Sequence, residues 1–239
     1  MNMEMRMTGM GGMNNNTMNM SSSGIADGMI MGKYLLHADN ILAPKEQWTG
    51  IFGATIPLGS IDKKDKNQNL LPYAMQLGSG TIDPFIGIQY GKNINPLWIG
   101  GTLKYKTPLE NNKNGYRLGN EFKYDLYAIY QINPTFTFEL LLEGKNTEKI
   151  SGEVDTSISQ TMGMYKNLNW DPTNTGSHVT FISAGIQWKP IDKLIIGLDY
   201  GVPIYESYNG MQLNNGSKIV LSALYELPTS GSKRHDSQK

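Results

Sequence analysis

The chain has 239 residues, room for one large all-β domain or two small ones, and its 39% hydrophobic content and mean hydropathy of −0.38 exclude a polytopic helical membrane protein. Lysine plus arginine and aspartate plus glutamate both number 21, which removes any broad electrostatic case for binding nucleic acid. Cysteine is absent, so disulfides and thiolate metal sites are excluded.

The first 20 residues hold eight methionines, several spaced Met-x-Met, and lack the basic start and apolar run of a signal peptide. Two readings fit. Thioethers are soft ligands, so a flexible segment bearing Met1, Met3, Met5, Met7, Met10 and Met13 suits Cu(I) or Ag(I). Alternatively, Met1, Met3, Met5 and Met7 alternate with Asn2, Glu4 and Arg6 as the end of a strand whose methionines face lipid, running into a Gly/Asn-rich loop.

From residue 27 onward apolar and polar side chains alternate at period two, predicting strands at 27–37, 47–59, 81–91, 96–107, 121–132, 135–147, 178–189, 194–206 and 217–227. In 97–106, Leu97, Ile99, Leu103 and Tyr105 share one face, and Trp98, Thr102, Lys104 and Lys106 the other. In 135–145, Phe136, Phe138, Leu140 and Leu142 oppose Thr137, Glu139, Leu141, Glu143 and Lys145. Successive side chains of a strand point to opposite faces of its sheet. Strands of roughly 10 residues with this pattern cross a bilayer at a tilt, the apolar face toward lipid and the charged face toward a wet interior.

Connections alternate in length. Those at 92–95, 133–134 and 190–193 are short and carry turn-forming residues. Those at 60–80, 108–120 and 148–177 are long and polar, 207–216 is of medium length, and 38–46 is intermediate. Short periplasmic turns alternating with long external loops are the asymmetry of outer-membrane barrels. Trp48, Tyr90, Tyr130, Phe136 and Trp188 sit at strand ends beside the short connections and on apolar faces, the placement of an aromatic girdle. Counting back from a last strand that ends in the periplasm, the strand at 27–37 starts outside. A closed bacterial barrel needs an even number of strands. The predicted fold is therefore an antiparallel transmembrane (outer-membrane) β-barrel, N-terminally truncated, with nine or ten strands present of about 12. The chain then divides into a strand end and Met/Asn/Gly-rich external loop at 1–26, a barrel at 27–227, and a polar tail at 228–239.

The polar faces supply Lys104, Lys106, Lys123, Asp125, Glu139, Glu143, Lys145 and Asp199. Charges facing lipid are costly, so these are expected to line the lumen, either setting pore selectivity or pairing into bridges that plug it. Their mixed sign argues against a strong anion or cation filter. The three histidines are His37, His178 and His235. Ser177 and Asp171 lie near His178, but no spacing makes these a catalytic triad, and a solvated rim histidine is the simpler reading. Asp62, Asp65 and Asn67 hint at Ca²⁺ yet lack the glycine and terminal glutamate of an EF-hand loop. Gly-rich phosphate loops are absent. Neither an enzyme nor a cofactor is expected.

Several stretches carry a resemblance: Pro57-Leu58-Gly59-Ser60-Ile61-Asp62, the run from Leu71 through Met75-Gln76-Leu77-Gly78-Ser79-Gly80 to Asp83, Leu118-Gly119-Asn120-Glu121-Phe122, and Gly201-Val202-Pro203-Ile204-Tyr205 followed by Asn209-Gly210 and Gln212-Leu213. Over about 50–227 the chain resembles the outer-membrane proteins grouped as the "putative MetA-pathway of phenol degradation" family. The resemblance implies an outer-membrane barrel that moves small molecules, some of them aromatic, and supplies no catalytic or binding residues. Members tend to end on an aromatic residue, whereas here a polar tail runs from Pro228 to Lys239.

The leading expectation is a porin-like outer-membrane channel or transporter for small molecules, including hydrophobic or aromatic compounds. Its partners would be outer-membrane lipid, the solute and the insertion machinery, with no nucleic acid. A metal-responsive barrel whose Met-rich loop captures copper or silver comes second, and a soluble β-sheet ligand-binding protein third.

Overall fold

The computed structural model describes residues 2–5, 18–40, 43–65, 68, 70–154 and 170–227. Its strands are β1 (Asn2–Met5), β2 (Met18–Ser21), β3 (Gly28–Ala38), β4 (Glu46–Ile56), β5 (Asp83–Ile94), β6 (Leu97–Lys106), β7 (Tyr116–Arg117), β8 (Glu121–Gln131), β9 (Phe136–Thr147), β10 (Ser151–Gly152), β11 (Ser177–Ile191), β12 (Leu194–Tyr208) and β13 (Lys218–Tyr225). The protein is all-β. Short 3-10 turns at Tyr73–Met75 and Pro172–Asn174 interrupt the loops, and no helix among the described residues is long and apolar enough to cross a membrane.

Nine strands form one antiparallel sheet in the order β3-β4-β5-β6-β8-β9-β11-β12-β13. Each sheet strand pairs with the sheet strands before and after it in the chain, the meander that hairpin-length connections favour. The nine predicted strands all appear, with small shifts at their ends. The strand expected over 47–59 stops at Ile56, because Pro57 has no N–H to give the ladder. The strand expected over 81–91 instead runs from Asp83 to Ile94 and turns through Asn95-Pro96. Within β12, Pro203 lies opposite Phe181 where the register shifts between Thr180 and Phe181, so the missing donor falls at a bulge.

The sheet is not closed. β3 and β13 are its two edges and make no ladder with each other. The N-terminal segment stands apart from this sheet. Asn2–Met5 does form a strand, but it pairs with Met18–Ser21 in a separate two-stranded sheet, inside what reads in sequence as a loop, and joins no edge of the large sheet. Of the candidate metal-binding methionines, Met3 and Met5 lie on β1, while Met1, Met7, Met10 and Met13 lie outside the described residues, as does the tail at 228–239.

Most of the buried apolar core sits in the loops at one end of the sheet, with Ile51, Phe85 and Val179 buried on the strands themselves. Leu70, Tyr73, Tyr116 and Val154 form a buried cluster, with Leu118, Ile150 and Trp170 packed against it. Tyr73 meets Tyr116 and Trp170 edge-on, at ring centroid distances of 4.7 and 5.2 Å, the aromatic geometry that adds to area burial. The small ladder between β7 and β10 joins the loop after β6 to the loop after β9. The large side chains of the sheet itself are mostly solvent-exposed.

Candidate functional site

Period two gives the nine-stranded sheet two chemically opposite faces. On one face, Ile30 and Tyr34 of β3, Phe52 of β4, Ile86 and Ile88 of β5, Leu103 and Tyr105 of β6, Phe122 and Leu126 of β8, Phe138 and Leu140 of β9, Ile186 of β11, Leu198 and Tyr200 of β12, and Ile219 and Leu221 of β13 are all exposed. The ladders join them directly: Phe52 opposes Ile86, Ile86 opposes Tyr105, and Tyr105 opposes Phe122. Nearer the turns, Tyr130 opposes Phe138, Phe138 opposes Ile186, Ile186 opposes Leu198, and Leu198 opposes Leu221. An exposed apolar band crossing every strand far exceeds the scattered single residues of an ordinary surface.

Trp48, Tyr90, Tyr130, Phe136 and Trp188 all lie on this face, at the end bearing the short turns. Trp48 and Tyr90 are cross-strand partners with ring centroids 4.5 Å apart, and Phe136 opposes Trp188. A second aromatic group at the loop end escaped the sequence reading. There Tyr105, Phe122 and Tyr205 are exposed, and Tyr124 lies flat over Gly144, where a Cβ would sit 2.0 Å from its ring. That close approach lets the Tyr124 hydroxyl reach Thr180 Oγ1 at 2.8 Å and His178 Nε2 at 3.2 Å. From Phe122 to Tyr130 the strand advances about 27 Å at roughly 3.4 Å per residue. Tilted by about 40°, that is near the height of the apolar band on a transmembrane barrel.

The opposite face carries the charges. Lys104, Lys106, Lys123, Asp125, Glu139, Glu143 and Asp199 all lie on it, half-buried, together with Lys145. This face is concave. Lys218 of β13 pairs with Glu143 of β9, three strand positions away, a distance of about 14 Å across a flat sheet and beyond the joint reach of two such side chains. Lys33 of β3 likewise donates to Gln89 of β5 across β4 at 3.3 Å, and Gln187 donates to Glu139 at 2.6 Å. The centre of charge is Glu121, which the sequence reading passed over. Its carboxylate takes Lys145 at 2.6 Å, Lys123 at 3.2 Å and Lys106 at 3.6 Å. Glu121 opens the strand expected over 121–132, two residues before Lys123, and period two alone would have placed it on the Lys123 face.

The loop end is held by buried polar bonds around the run 71–83. Asp27, just before β3, accepts from the Gly59 N–H at 2.9 Å, the Ser79 N–H at 2.7 Å and the Ser79 hydroxyl at 3.0 Å. Gln76 Nε2 donates to the Leu71 carbonyl at 2.7 Å while its Oε1 accepts from the Lys63 N–H at 2.9 Å. Asn112 donates to the Ser79 carbonyl and Asn114 to the Ile61 carbonyl. The specific-looking run through Met75 and Ser79 thus builds the loop platform. Asp62 is bonded by Lys113, whose ammonium holds its carboxyl below the usual range, and by Asn114. Asn67 lies outside the described residues.

Ser177 and His178 point to opposite faces of β11, and Asp171 instead accepts from the Thr173 N–H at 2.9 Å to cap a 3-10 turn. The structure therefore does not bring these residues together. Among the described residues, no group of three or more His, Asp or Glu side chains is placed to hold a metal ion. No protein-family model matches the chain, and no curated protein matches it either.

Proposed function

We propose that this chain forms the wall of an outer-membrane β-barrel that passes small molecules, as its resemblance to the MetA-pathway group of barrels implies. The observation that carries the reading is the inversion of the sheet. Its large apolar side chains are exposed on one face, its charges are gathered on a concave face, and most of its buried apolar core lies in the loops. In water such a band would be an aggregation surface; against lipid it is the stable arrangement. The aromatic residues at both ends of the band suit the two membrane–water interfaces. In a nine-stranded meander the first and last strands run parallel, so closure as an even-stranded barrel requires a further strand between β13 and β3.

Planar-bilayer recording on the full chain tests the proposal. Discrete current steps are expected on insertion. A chain that is monodisperse in buffer without detergent and gives no current would overturn it.

A further inference from the structure

We infer that the concave face holds a binding site for a small organic anion, a carboxylate on an apolar body, at the loop ends of β8, β9 and β11. The inference deepens the channel reading by naming a solute class, and it rests on that reading for its relevance to transport. Its first support is register. Lys104 lies directly opposite Lys123, and Lys123 directly opposite Lys145, so three ammonium groups share one row across adjacent strands. Facing residues in a ladder have Cβ atoms about 4.5–5.5 Å apart, and like charges so placed repel.

The neighbouring carboxylates do not cancel this row. Glu121 alone is shared by Lys106, Lys123 and Lys145, and Lys104 lies over the Phe85 ring at 5.1 Å with no ion pair among the described residues. One step along the strands, Glu143 is taken by Lys218, which leaves Asp125. Glu206 on β12 accepts from Tyr208 and Asn215. Four lysines thus face two carboxylates, Glu121 and Asp125, and a bound anion relieves the excess.

The second support is shape. An open recess of about 640 Å³ adjoins the row. Lys123, Lys145, Thr147 and Ser177 line it together with the carboxylates Asp125 and Glu143, the latter held by Lys218, and with the apolar Val179 and Phe181. Thr147 and Ser177 oppose each other in the ladder, and their hydroxyls have no hydrogen-bond partner among the described residues. Two ammoniums and two hydroxyls are donors suited to a carboxylate, and the apolar side chains beside them suit a ring or short alkyl body. The Lys123 and Lys145 side chains are 43% and 50% exposed, open to a solute.

The test titrates the full chain, folded in detergent, with benzoate and with benzyl alcohol, its uncharged counterpart. The reversal potential of the same protein is then read in planar bilayers under a KCl gradient. Benzoate should bind more tightly than benzyl alcohol by about tenfold, with affinity falling as salt rises, and the currents should favour anions. Lys123→Gln with Lys145→Gln should weaken benzoate by about tenfold or more, and Lys123→Arg with Lys145→Arg should restore it. Equal binding of benzoate and benzyl alcohol overturns the inference, and that comparison needs no variant to fold. Currents without benzoate preference sink this site and leave the channel standing. Lysine-dependent benzoate binding without current supports the site and sinks the channel.

Discussion

Tyr116 shows how a single residue ties the loops to the sheet. It is almost fully buried, and burial pushes its phenol up to about 12. In the unfolded chain the same group ionises near 10. Between those values the unfolded state has lost a proton that the folded state keeps, so stability falls as pH rises from about 10 toward 12, by on the order of 2 kcal/mol. Below pH 10 the group is neutral in both states and contributes no pH dependence. Alkaline unfolding followed through the Trp170 fluorescence should therefore begin near pH 10, and Tyr116→Phe should move its onset upward. An unchanged onset would mean that the cluster around Tyr73 and Val154 does not depend on a neutral residue 116.

Single strands carry the division between lipid-like and water-like surroundings, and β9 is the clearest. Leu140 is 42% exposed on the apolar face between Ala128 and Ala184, while its neighbour Leu141 lines the recess on the concave face. In a bilayer, Leu140→Arg should destabilise the protein by about 2–4 kcal/mol if residue 140 lies near the midplane, whereas Leu141→Arg should cost far less and alter ion selectivity instead. Urea unfolding from lipid vesicles would measure both. A soluble sheet packed on its apolar face would respond to Leu140→Arg in water as well, and a smaller cost for Leu140→Arg than for Leu141→Arg would rule out lipid on that side. The same strand shows why the charges matter: Glu139, Glu143 and Lys145 alternate with the leucines, and each finds a partner on another strand.

Across the whole molecule, protection should follow position in the sheet. β8 and β9 have ladders on both sides, whereas β3 and β13 each have one free edge. Free edges expose unpaired N–H groups and invite association. Amide exchange of the detergent-folded chain should thus be slowest in β6, β8 and β9 and fastest along the outer edges of β3 and β13. If the amides of β3 and β13 exchange as slowly as those of β8, a further ladder covers both edges. That result would favour closure over an open sheet.

Strand positions and facings were legible in the sequence because alternation is local: Lys104 and Leu103 declare opposite faces without reference to any other strand. Turns were legible for the same reason, since Asn133-Pro134 and the residues at 192–193 act through their own backbones. Register was not. That Lys104, Lys123 and Lys145 share a row depends on loop lengths and on shifts such as the one between Thr180 and Phe181, and neither is written in any one strand. The mixed composition of the polar face suggested little selectivity; the ladders sort that mixture by row, placing lysines together near the loops. Concavity likewise arises only when the twist and bending of many strands add, so the meeting of Lys218 with Glu143 had no local signal. The loop core joins Leu70, Tyr116 and Trp170, residues far apart in the chain with no shared period. Only the paired strands beneath them bring those side chains within reach of one another.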